Sequence, residues 1–160
     1  MMEKAVITFL FFAILAVISV IDIHKKKIYN ETVAVLFVPT IVSFFIFPEI
    51  SLPSRMLGAV SVSGIMLFIG VILPGSFGGG DIKMMVPVGM FLGLERTLIA
   101  GIIAVFGGGI YSGGEILWGV YKTKSWSSVL RNCKTRFAFG PMLCIGSMMA
   151  WFWGDILRRW

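Results

Sequence analysis

The chain has 160 residues, of which 58% are hydrophobic and 14% charged, with a mean hydropathy of +0.94. A water-soluble domain is about 45–50% apolar and about 25% charged, so this composition excludes most soluble folds and marks a polytopic membrane protein, read as one domain over residues 1–160. The net charge of +6 would suggest nucleic acid in a soluble protein. Here it reads as basic loops on one side of a bilayer, with lipid and no nucleic acid as partner. Cys133 and Cys144 form no CxxC pair and offer neither a zinc knuckle nor a disulfide framework.

The first apolar run, Ala5–Ile21, is uncharged and lies between Lys4 and Asp22. Its basic cluster, His24-Lys25-Lys26-Lys27, follows the run instead of preceding it. That is the reverse of a cleaved signal peptide, so the run reads as a retained helix. A second run, Thr32–Phe47, contains Pro39 as an expected kink. After the polar stretch Glu49–Arg55 comes a third run, Met56–Leu73.

The segment Pro74-Gly75-Ser76-Phe77-Gly78-Gly79-Gly80-Asp81 cannot be ordinary helix interior. The fourth run, Met84–Leu94, stops at Glu95-Arg96. Even Asp81–Leu94 reaches only about 21 Å against a hydrocarbon core of about 30 Å, so a short or partial span is expected. The fifth run, Thr97–Val120, reads as interrupted by Gly107-Gly108-Gly109 and Gly113-Gly114-Glu115, glycines that allow close helix packing. Trp126, Val129, Leu130, Cys133 and Phe137 recur at helical spacing, either as a short amphipathic helix on the membrane surface or as part of a solvated basic loop. A sixth run, Phe137–Leu157, ends the chain, and Trp118, Tyr121, Trp151, Trp153 and Trp160 fit aromatic belts.

The expected fold is therefore an all-α integral membrane protein. It is a six-transmembrane helix bundle with a short fourth span and an amphipathic segment before the last helix. Nine of the 14 Lys and Arg residues fall in the loops on the side of Lys25–Lys27, and five on the other. This bias puts the lysine cluster in the cytoplasm and both termini outside.

Burying a carboxylate at a helix centre costs about 2.5–3.5 kcal/mol or more, so Asp22, Asp81, Glu115 and Asp155 each need a reason. Asp22 closes the first span and Asp81 opens the fourth, both at the cytoplasmic end. Two carboxylates a few Å apart share a proton, so the pair can work as acid and base on a water without metal or cofactor. Gly78-Gly79-Gly80-Asp81 satisfies GxGD, whose glycines permit a tight backbone and close approach of another chain. The plainer alternative is a loop ending in a helix cap.

Asp22-Ile23-His24-Lys25-Lys26-Lys27-Ile28-Tyr29-Asn30 resembles the D-x5-I-P-N stretch of type IV prepilin peptidases. Gly78-Gly79-Gly80-Asp81-Ile82-Lys83 resembles their G-x-G-D-x-K, and Phe139-Gly140-Pro141 the F-G-P that opens their last helix. The chain is accordingly identified as a member of this family of GxGD aspartic membrane proteases. It resembles the short forms that act on prepilins of tight-adherence pili or pseudopilins.

The resemblance implies cleavage of a basic leader ahead of an apolar helix, at the cytoplasmic face of the inner membrane, with Asp22 and Asp81 catalytic. Gly78, Gly80, Lys83 and Asn30 then belong to the loop that meets the leader. Tyr29 departs from the usual proline. No N-terminal domain with paired CxxC motifs precedes the first span, so N-methyltransferase activity is not expected of this chain. Lys83 either serves the site or snorkels to the surface, and Glu115 either lines the cleft or bonds between helices. Beside the peptidase stands another class of reading, a non-catalytic membrane subunit or ion-conducting bundle whose acids line a polar path. Within proteases, a preflagellin-type peptidase shares the same motifs.

Overall fold

The computed structural model describes residues 2–25, 28–72, 77–123 and 140–157, the last turns of the two final helices as backbone only. The described residues form six helices: α1 (Met2–Lys25), α2 (Asn30–Ile46), α3 (Leu52–Ile72), α4 (Gly79–Leu92), α5 (Leu94–Thr123) and α6 (Gly140–Leu157). No strand occurs among them. Helices α1, α3 and the Leu94–Tyr111 part of α5 are long and apolar enough to cross a membrane, and α2 is a shorter apolar helix. The protein is a multi-pass membrane helix bundle. The proposed amphipathic segment at 124–137 lies outside the described residues.

Polarity does not separate inside from outside here, because lipid accepts apolar side chains as readily as a core does. Phe45 and Phe68 are exposed, while Phe11, Leu15, Leu36, Met84, Met85, Val88 and Phe91 are buried. What closes the bundle is shape, and the small residues show where. A Cβ on Gly58 of α3 would sit 2.5 Å from the Gly89 carbonyl oxygen of α4. One on Gly101 of α5 would sit 2.9 Å from Val62, and one on Gly146 of α6 would sit 2.7 Å from the Ala100 carbonyl oxygen.

In the fifth run Gly107 also packs closely, since a Cβ there would sit 3.3 Å from Met142 Sδ of α6. Among the described residues nothing lies within 4 Å of the Cβ positions of Gly109, Gly113 and Gly114. Helix α5 also runs unbroken through them for 30 residues. Glycine costs about 1 kcal/mol in a helix, but in a bilayer an unpaired peptide group costs several, and continuity wins. The real break comes earlier, at Gly93, whose φ of +77° turns the chain between α4 and α5. Ser54 Oγ then accepts the Leu94 N–H at 3.0 Å.

Arg55 and Arg96 count as surface charges in the sequence-based topology, yet both are buried. Arg55 is 1% exposed and sits below the end of α2. Its guanidinium donates to Ser43 O (3.0 Å), Ser43 Oγ (2.9 Å), Phe47 O (2.9 Å) and Met90 O (2.9 Å), with Nε to Ile50 O at 3.3 Å. A helix end leaves carbonyls without partners and carries negative partial charge. One cation thus satisfies the end of α2 and ties α3 to α4.

Beside it an aromatic cluster links α1, α4 and α6. Phe11 stacks on Phe91 with centroids 3.9 Å apart, and Phe12 and Phe47 present edges to Trp151. Trp151 is therefore a core residue and not part of an interfacial belt. Arg96 lies 4.4 Å from its ring.

Candidate active site

Asp22 lies in the last turn of α1, one turn beyond Ser19, so both side chains share a face. That face receives the start of α6. The first N–H groups of a helix have no partner of their own and sit at the positive end of its dipole. Gly140 N–H donates to Asp22 Oδ2 at 3.1 Å, and Ser19 Oγ donates back to Gly140 O at 3.1 Å. A Cβ on Gly140 would stand 2.9 Å from that same carboxylate oxygen. Only glycine lets the two helices meet this way, which gives the glycine of Phe139-Gly140-Pro141 a physical reason. Pro141 suits the first turn that follows.

Asp81 is held from its own chain. Gly78 is the N-cap of α4 and Asp81 stands three residues in. Asp81 N–H donates to Gly78 O at 3.0 Å, and Gly78 N–H donates to Asp81 Oδ2 at 3.1 Å, a reciprocal cap. The two glycines that GxGD specifies serve different contacts. A Cβ on Gly78 would lie 2.7 Å from Asp81 Oδ2, whereas one on Gly80 would lie 2.7 Å from Ile28 Cβ. Gly79, the variable position, has nothing within 4 Å among the described residues.

The first motif is thereby clasped to the second. Ile28 covers Gly80, and Lys83 Nζ donates to Asn30 Oδ1 at 3.1 Å. Lys83 is exposed and bonded to Asn30, which answers its reading as a surface lysine and gives it a partner in the other motif.

Asp22 and Asp81 are only 5% and 6% exposed. Their carboxylates are close enough for the charge of one to act on the other. Each has one oxygen fixed by a glycine N–H, and Asp81 Oδ1 is buried with no hydrogen-bond partner among the described residues. So Asp81 does cap a helix, as the plainer reading had it, but with one oxygen only. The other makes no hydrogen bond among the described residues.

The backbone of Glu115 belongs to α5, and its side chain lies outside what the structure describes. Among the described residues no three His, Cys, Asp or Glu side chains cluster as a metal site would require. Sequence reasoning missed the hold of Gly140 on Asp22 and of Ser19 on Gly140. Its only signal was the F-G-P resemblance, which carries no hint of a partner 118 residues away.

Residues 9–113 match the model of the type IV leader peptidase family. Over 147 residues the chain is 29% identical to a prepilin leader peptidase/N-methyltransferase of Bacillus subtilis (strain 168), covering 91% of this chain and 54% of that protein. The chain thus spans about half the length of this curated relative. No solved structure matches it. The family match takes in both aspartates and both halves of the clasp around them, and extends over more than half of the sequence: the chain belongs to the type IV leader peptidase family.

Proposed function

We propose that this protein is an aspartic endopeptidase that removes the basic leader of type IV prepilins or pseudopilins at the cytoplasmic face of the inner membrane. The observation that carries the reading is the buried pair, Asp22 and Asp81. The two come from distant parts of the chain, are electrostatically in reach of each other, and are each anchored through one oxygen.

One carboxylate of the pair is ionised and takes a proton from a water whose oxygen attacks the scissile carbonyl carbon. The other is protonated and donates a hydrogen bond to the carbonyl oxygen as charge builds there. Collapse of the tetrahedral intermediate breaks the C–N bond. The leaving amine receives a proton from the pair, which returns to its starting state. The two protons belong to the pair and not to either residue.

The exposed glycine segment Gly78–Gly79 leaves backbone accessible beside Asp81, where an extended leader junction would lie. Lys83, Asn30 and Glu115 are assigned to that approach. The cytoplasmic side follows from the nine-to-five bias of basic residues towards the end of α1 that carries Asp22.

The test is incubation of the purified chain with a synthetic prepilin peptide spanning leader and apolar helix, with mass spectrometry of the products. The reading expects a single cut at the leader junction. An intact peptide would favour a non-catalytic membrane subunit.

A further inference from the structure

Ser19 is buried in an otherwise apolar stretch of α1, one turn before Asp22. A serine inside a helix satisfies itself by donating to the carbonyl four residues back. Ser19 Oγ does so, to Leu15 O at 2.9 Å. Nothing in that bond calls for a second acceptor. Yet the same hydroxyl lies 3.1 Å from Gly140 O on α6. The buried Cys144, one turn further along α6, is within hydrogen-bond reach of it as well. Ser19 therefore faces α6 and shares its one proton between its own helix and the neighbour.

The direction of the contacts fits two helices running opposite ways, with α6 beginning where α1 ends. A helical N–H points back towards the start of its helix and a C=O towards its end. Gly140 N–H accordingly meets Asp22, and Gly140 O meets Ser19, about 4.5 Å back along α1. One hydrogen bond would let the first turn of α6 roll about it. Two bonds, to opposite ends of one residue, fix its rotation.

We propose that Ser19 is a positioning residue for the reaction, an inference that rests on the peptidase reading above. By holding Gly140 O it keeps the Gly140 amide aimed at Asp22, and so sets how that carboxylate stands in the pair. It acts through Gly140 and not on the substrate. Ser19→Ala removes only the hydroxyl, and each carbonyl keeps the N–H partner of its own helix, so the fold is retained.

The experiment uses the whole chain in micelles, as wild type, Ser19→Ala, Gly140→Ala and the double variant. It measures kcat and KM on a prepilin peptide, and hydrogen–deuterium exchange at the Gly140 amide in the first two. Ser19→Ala should lower kcat about 3–10-fold, the worth of one neutral hydrogen bond, with KM unchanged. Exchange at Gly140 should quicken by a similar factor. Added to Gly140→Ala, the serine change should cost less than it does alone, because the amide it aims is already displaced. A wild-type kcat in Ser19→Ala, an unchanged exchange rate, or losses that multiply in full each overturn the proposal. A wild type that leaves the peptide intact overturns the peptidase reading itself, a failure told apart by exchange at Gly140 that still depends on Ser19.

Discussion

The Gly140 amide donates to the carboxylate of Asp22 at 3.1 Å, joining the first turn of α6 to the last turn of α1. A position that reads in sequence as the opening of a helix is, in the fold, the support of a buried acid. Gly140→Ala would put a methyl group 2.9 Å from Asp22 Oδ2 and push the carboxylate off its donor. A hydrogen bond to a charged group is worth about 1.5–3 kcal/mol, so cleavage of a prepilin peptide should slow about 10–100-fold. Circular dichroism should report the same helical content as wild type.

The three glycines before Asp81 should separate cleanly. Gly79→Ala meets nothing within 4 Å among the described residues and should cleave at the wild-type rate. Gly78→Ala crowds Asp81 Oδ2 and Gly80→Ala crowds Ile28, each at 2.7 Å, where something must shift. Both should lose at least about tenfold in kcat/KM, the equivalent of 1.4 kcal/mol of misplacement. An alanine series measured side by side on one peptide decides the matter.

Lys83 and Asn30 are exposed, and their 3.1 Å bond holds two motifs together at the surface. Exposed polar pairs contribute little, so Lys83→Ala and Asn30→Ala should each cleave within about fivefold of wild type. A double-mutant cycle should show that the two losses are not additive. A loss in Lys83→Ala as deep as that of an aspartate variant would place the ammonium in the reaction itself.

Arg55 should matter to stability and not to chemistry. Arg55→Leu would take its donors from Met90 O, Ser43 O and Phe47 O, of which Ser43 O keeps the Phe47 N–H and Phe47 O keeps the Ile50 N–H. An unsatisfied buried acceptor costs about 1–3 kcal/mol, so a loss of about 1–3 kcal/mol is expected in denaturant unfolding in micelles. Arg55→Lys should recover only part of it, because an ammonium cannot span donors in a plane as a guanidinium does.

The aspartates, the GxGD loop and the short fourth helix were legible in the sequence because each is local. A charge beside an apolar run, a glycine cluster and a 14-residue length can be read without knowing neighbours. The supports of the site were not legible. Gly140 reaches Asp22 across 118 residues, and Arg55 looks like any surface arginine until the end of α2 turns its carbonyls towards it. The glycines of α5 misled in the other direction, since rules learned in water overstate how readily a helix breaks inside lipid. Gly93 escaped notice because a positive φ at one residue leaves no periodic trace.

The most direct measurement is cleavage of a prepilin peptide by purified Asp22→Asn and Asp81→Asn proteins, each checked for wild-type thermal unfolding. Asparagine keeps the shape and one acceptor oxygen, so the Gly140 and Gly78 contacts persist while the proton chemistry is removed. The account predicts that the peptide stays full-length with either variant. Normal cleavage by either one would contradict the claim that the two carboxylates act as a pair.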